Sequence, residues 1–378
     1  MVIALSPIYL LALMFLVFGV IIQKLSKPNY GVALLFLMAV LICISIVGFR
    51  DPSVGRDYES YYRYYIDSPN NPWDVLSGNF DPSLLLVDRG YIVINSIFKY
   101  FQFNGYQFIF FIGLISVTSI GYFFFKESKL YFLAFLIYFS HAFFYREMIQ
   151  IRQGLCCALA MWLYLKVTER KSIHSILTLF TISTIHLASI IYIIPIMFYA
   201  IGWQPSRRTF IAGIAVSTVL LVFTSSNPQI LDLVERVAQY QSTEAVEARP
   251  LFTNLTLYKQ VIVTLFALNL YKILDRQPSS LVNIFLISYI VSTYWMIVFS
   301  PYEIIGQRLS NFMSIGEGFL VAELLWLITS EPKLSFHRTA WTSALLLLPI
   351  MIFFTNHTVY SERLNVVPYK FNMNLMSK

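Results

Sequence analysis

The stretch SILTLFTISTIHLASIIYIIPIMFYAIGW, residues 175–203, decides how the chain folds. It is apolar almost throughout, and a helix needs about 20 such residues to cross a bilayer. At about 29 residues it is too long for one crossing and short for two. His186 stands near its middle, and dividing there gives two short spans joined by a turn. Loop charge supports the division. Lys166, Arg170 and Lys171 precede the stretch, and Arg207 and Arg208 follow it. Basic residues in short loops mark the cytoplasmic side. Two crossings leave both clusters on that side, whereas one crossing would put Arg207 and Arg208 outside.

Similar apolar runs flank this stretch on both sides. They fall at Leu5–Ile22, Gly31–Phe49, Phe108–Phe125, Leu130–Phe144 and Met148–Leu165 before it. After it come Thr209–Phe223, Thr256–Tyr271, Leu281–Phe299, Ser310–Thr329 and Thr339–Asn356. The runs are continuously apolar rather than alternating, which selects helices over a barrel. Of the 378 residues, 57% are hydrophobic and 12% charged, far from the quarter or so charged in a soluble protein. The expected fold is therefore an all-α polytopic membrane protein with about twelve transmembrane helices, eleven being the other possible count. It forms a single integral membrane domain over 1–378.

The loops expected inside hold Lys24, Lys27, Lys126, Lys129, Lys166, Arg170, Lys171, Arg207, Arg208, Lys272, Arg276, Lys333 and Arg338. Only Glu127, Glu169, Asp275 and Glu331 oppose these 13 basic residues. Both termini are then outside. So are the polar segment 50–107, with an amphipathic helix near Val87–Phe103, and a second loop, 224–255. The first run has no basic residue before it and no A-x-A site, so it reads as a retained span. The net charge of +7 is an orientation signal and not a nucleic-acid footprint. Cys43, Cys156 and Cys157 lie in apolar runs without metal or disulfide spacing. No phosphate-binding or dinucleotide glycine motif occurs. The expected chemistry is outward-facing, independent of ATP, and without metal or cofactor.

Five places carry groups suited to chemistry. In GRDYESYYRYY, 55–65, helical spacing puts Tyr58, Tyr61, Tyr62 and Tyr65 on one face, beside Arg56 and Asp57. That face suits either a membrane-interface anchor or stacking against sugar. DRGY, 88–91, opens the amphipathic helix, where Asp88 serves as a cap or as a reactive carboxylate next to Arg89. YREMIQIRQG, 145–154, opens a span with Arg146, Arg152 and Gln153. An arginine at the depth of Arg152 needs a partner or a function, and guanidinium groups bind phosphate oxygens in pairs. His186 falls at an outer turn. PYEIIGQR, 301–308, carries Glu303 and Arg308. Glu317 and Glu323 lie inside an apolar run and name no partner.

The order GRDYESYY, DRGY, IRQG and the IH of residues 185–186 resembles the EpsG-type, Wzy-like polysaccharide polymerases of bacterial capsule, exopolysaccharide and O-antigen pathways. The resemblance covers roughly residues 30–200 by motif. One departure is that the family often has glutamate where this chain has Asp88.

The resemblance implies an inner-membrane glycosyltransferase of GT-C-like architecture, with outer loops forming a cavity that faces the periplasm or cell exterior. It would join oligosaccharide repeat units carried on undecaprenyl diphosphate, in contact with membrane lipid and with a chain-length regulator protein as a partner. On that reading Arg146, Arg152 and Arg308 hold diphosphate. Asp57 or His186 takes the acceptor proton, with Asp88 beside them. Arg56, Tyr58, Tyr61, Tyr62, Arg89, Gln153 and Glu303 contact substrate. A lipid-linked oligosaccharide flippase or other transporter is the alternative, with Glu317 and Glu323 as its best support. An acyltransferase would more naturally pair a histidine with an acid, and His186 has no acidic neighbour in sequence.

Overall fold

A computed structural model describes residues 6–26, 29–85, 87–226, 254–300, 303–332, 338–359 and 365–372. Most of the expected loop 224–255 therefore lies outside the described residues. The described chain is helical, with one isolated bridge between Arg50 and Phe371. Its contacts divide it into two compact units. The first is Met1–Leu163, Ser172–Ser189 and Glu317–Lys378, and the second is Tyr164–Lys171 and Ile190–Gly316.

The first unit opens with α1 (Pro7–Leu25) and α2 (Tyr30–Gly48), both close to the expected runs. The polar segment then forms α3 (Tyr58–Asp67), α4 (Pro72–Ser77) and α5 (Arg89–Tyr100). Next is α6 (Gly105–Glu127), started by a reciprocal capping box between Asn104 and Gln107. α7 (Tyr131–Tyr138) runs into a π-helical turn, Phe139–Phe143, and a last turn, Phe144–Arg146. α8 (Ile151–Thr168) and α9 (Ser172–Ile185) follow. A 3₁₀ turn, Leu187–Tyr192, and α10 (Ile193–Ala200) continue the chain into the second unit.

There the helices are α11 (Arg207–Ser226), α12 (Leu255–Leu274), α13 (Ser280–Val298) and α14 (Glu303–Met313). The chain returns to the first unit with α15 (Glu317–Ser330) and α16 (Arg338–Val359).

Six of these helices are long and apolar enough to cross a membrane, or seven if a bent pair within α14 and α15 counts as one span. The run expected at Ser310–Thr329 is broken at 314–316. Its polar and glycine residues, Ser314 and Gly316, are weaker helix formers than the residues around them. The helix also breaks at His186, and the flanking pieces, Ser172–Ile185 and Leu187–Ala200, are shorter than ordinary spans.

Polar side chains tie apolar helices together in both units. In the second, the Tyr164 hydroxyl meets Ser288 at 2.8 Å, and Ser292 meets Ser310 at 2.7 Å. Gln260 donates to Ser292 at 3.0 Å. Such bonds hold helices where lipid provides no hydrophobic drive between them. In the first unit the two carboxylates that lacked partners in sequence find them. Glu317 lies 3.6 Å from His141 of the π-helical turn, and Glu323 accepts from the Lys129 backbone N–H at 3.4 Å.

The tail also belongs to this unit. Tyr369 N–H donates to Ser6 Oγ at 2.7 Å, and the Tyr9 hydroxyl donates to the Val366 carbonyl at 2.8 Å. Asp51 N–H donates to the Lys370 carbonyl, Asn372 N–H to Phe49, and Gly55 N–H to Asn365, all at 2.8 Å. The start of α1, the end of α2 and the tail thus lie together. The strap they form holds 50–55 in place immediately before α3.

Candidate functional site

α3 presents Tyr58, Tyr61 and Tyr65 to the protein interior. Tyr65 stacks on Phe108 of α6 with centroids 5.0 Å apart, and its hydroxyl donates to the Phe103 carbonyl. Tyr61 meets Tyr91 of α5 edge-on at 6.1 Å. The tyrosine face found in sequence is real, but it packs against α5 and α6 rather than lying open to lipid or sugar. Tyr58 and Tyr61 are buried, whereas Tyr62 is partly exposed and packs against Tyr106 at 4.8 Å. Arg50 lies buried over the Tyr58 ring, 5.1 Å from its centroid.

Asp88 stands at the N-cap of α5, yet its side chain makes no cap hydrogen bond. It turns instead to two partners on other helices. Its Oδ2 lies 3.2 Å from Arg152 Nη1, at the start of α8, and 3.3 Å from His186 Nδ1, at the break after α9. One carboxylate oxygen thus bridges a guanidinium and an imidazole. The pair is deeply set, with the Asp88 side chain 9% and the Arg152 side chain 15% exposed. Three rings close around the guanidinium: Tyr61 and Tyr64 at 5.9 Å and Tyr91 at 5.4 Å from their centroids. A cation over an aromatic face is attracted by about 0.5–2 kcal/mol, more as water is excluded. These contacts are the partner that an arginine at this depth requires.

Burial acts to raise the Asp88 pKa. The His186 imidazole, the Arg152 guanidinium and the Leu187 N–H outweigh it and hold the carboxyl below its usual value. Asp88 is therefore ionised throughout neutral pH. The stability it contributes is complete above the unfolded value of about 3.9. It is lost only as pH falls through the lower folded value. His186 is 25% exposed and faces Asp88 through Nδ1. The contact lies within ion-pair distance without hydrogen-bond alignment at Nδ1, and it sets the imidazole beside a buried negative charge. The acidic neighbour missing from the sequence around His186 is supplied by the fold, so an acid–histidine pair does not by itself separate acyl from glycosyl transfer.

The other candidates are placed as follows. Asp57 precedes α3, is 26% exposed and pairs with its neighbour Arg56 at 3.3 Å. Arg89 is exposed beside Asp88. Arg146 and Gln153 are buried near the start of α8. Glu147, buried in the turn before α8, was not among the sequence candidates; its run, YREM, reads there as a surface turn. Glu303 and Arg308 are on α14 in the second unit. Tyr64 and Tyr91 were also missed as partners of Arg152. Tyr64 lies off the α3 stripe, and Tyr91 gives no signal beyond its motif.

A helical multi-pass membrane protein with an acid set between arginine and histidine is the class that fold and site define. The chain belongs to the EpsG family, whose model matches residues 33–371. It is also similar to the amylovoran biosynthesis protein AmsC of Erwinia amylovora, 24% identical over 309 residues, covering 79% of this chain and 81% of that protein. No solved structure matches. The resemblance drawn from the motifs is thus borne out at the level of family, and the chain is a membrane protein of polysaccharide biosynthesis.

Proposed function

We propose that this protein is a glycosyltransferase that polymerises oligosaccharide repeat units carried on undecaprenyl diphosphate, at the outer face of the bacterial inner membrane. The observation that carries the mechanism is the contact between Asp88 Oδ2 and His186 Nδ1. His186 Nε2 takes the proton of an acceptor hydroxyl, and the hydroxyl oxygen forms a bond to the anomeric carbon of the donor sugar. The bond from that carbon to the diphosphate oxygen breaks, and its electron pair leaves on undecaprenyl diphosphate. Asp88 orients the imidazole and stabilises the imidazolium once formed.

Arg152 holds Asp88 in place through Nη1, within a guanidinium flanked by three tyrosine rings. The exposed guanidinium groups of Arg56 and Arg89 are better suited to the developing charge on the diphosphate. Tyr62, on the outer side of α3, remains a sugar contact.

Deletion followed by electrophoresis of surface glycan tests the reading. Loss of the polymer ladder with a single capped repeat unit retained supports a polymerase. Loss of both points instead to the flippase alternative. Two variants then test the roles. Asp57→Asn is expected to leave polymer yield within about twofold of wild type, because Asp57 pairs with solvent-exposed Arg56; a tenfold fall would return the base to Asp57. Asp88→Asn is expected to move the acid limb of the pH–rate profile to lower pH. Removing a negative neighbour destabilises imidazolium, so His186 stays neutral further into acid. The accompanying loss of orientation lowers the maximal rate. A limb that stays fixed or moves to higher pH overturns the pairing.

A further inference from the structure

Gly90 follows Asp88 by two residues, in the first turn of α5. A Cβ there would stand 2.6 Å from both the carbonyl carbon and the carbonyl oxygen of Thr184, and 2.7 Å from its Oγ1. Thr184 precedes His186 by two residues, in the last turn of α9. A close approach of the two helices therefore lies two residues from each member of the Asp88–His186 pair. Two of the three atoms met are backbone, which cannot rotate aside.

The glycine is not there for its conformational freedom, because its φ is not positive. Glycine inside a helix is less favourable than alanine by about 0.5–1 kcal/mol. The gain that offsets this is proximity. To reach ordinary van der Waals contact at 3.4 Å, any side chain at position 90 must part the two backbones by roughly 0.8 Å. The Asp88–His186 contact is already 3.3 Å long. Lengthened by that amount, it passes beyond the roughly 4 Å of a close ion pair.

We infer that Gly90 is a positioning residue that sets the Asp88–His186 distance and thereby the orientation of the His186 imidazole. Its link to polymerisation rests on the proposed role of His186 as base; its effect on the imidazole does not. The chain has five histidines. Histidine-labelled protein in detergent therefore gives few imidazole resonances, and His186→Gln assigns the relevant one.

In Gly90→Ala, the His186 titration is expected to move to lower pH, in the direction produced by Asp88→Asn. The turnover rate falls at least tenfold with KM within about twofold. Adding Gly90→Ala to Asp88→Asn lowers the rate no further. Gly90→Ala/Asp88→Glu, whose acidic arm is one methylene longer, regains part of both the titration and the rate.

An unchanged His186 titration in Gly90→Ala overturns the inference, as do rate losses that multiply in the double variant. A Gly90→Ala protein that fails to accumulate in membranes and is not restored by Asp88→Glu marks the glycine as packing alone, and also overturns it. A displaced titration with undiminished polymer supports the positioning and removes instead the reading of His186 as base.

Discussion

His186→Ala is expected to abolish the polymer ladder and leave single repeat units transferred to the cell surface, with the protein present in the membrane at its normal level. A positioned general base contributes about 10²–10⁴-fold, and a fall of that size in chain addition leaves nothing visible beyond the first unit. The fold should tolerate the change. His186 is partly exposed at a helix break, and Asp88 keeps Arg152 as its counter-charge when the ring is gone. His186→Gln keeps much of the shape and should be as inactive as alanine. An alanine variant with a full ladder would remove His186 from the chemistry.

Arg152→Ala should do more damage, and of a different kind. It leaves the buried Asp88 carboxylate without its guanidinium counter-charge, and removes the cation from three tyrosine faces. Breaking a buried ion pair from one side costs about 3–5 kcal/mol. The variant is therefore expected to accumulate poorly and to lose its folded peak early on heating in detergent. Pairing it with Asp88→Asn removes the stranded charge and should recover part of the thermal stability without recovering polymer. Arg152→Lys, with charge but no planar fork, should fall between. Wild-type melting together with a full ladder in Arg152→Ala would show that the bridge matters to neither stability nor function.

Much of the architecture was legible because membrane helices obey one strong rule: length and apolarity together. α1, α2, α6, α12 and α13 lie close to the expected runs. The run 310–329 was harder, since hydropathy averages over a short polar interruption that the backbone does not ignore. The tyrosine stripe of α3 was correctly read as a face, but periodicity gives a face without naming what it meets. Asp88 shows the limit most clearly. Its position at a helix start is a local property that sequence reports. That it declines to cap its own helix and reaches Arg152 and His186 is a tertiary property, set by how α5 meets α8 and α9. Arg152 itself was flagged for the right physical reason, because a cation at that depth needs a partner. Within the chain it meets a carboxylate and three rings, partners that the sequence does not name.

The C-terminal strap gives the order of synthesis a meaning. Residues 365–372 are made long after Ser6, Tyr9 and the turn 49–55, yet they bind all three. The loop leading into α3 therefore lacks these hydrogen bonds until residues 365–372 have been made. A chain stopped just before residue 365 would carry every described helix and still leave that loop unfastened, at the place where the aromatic face of α3 begins.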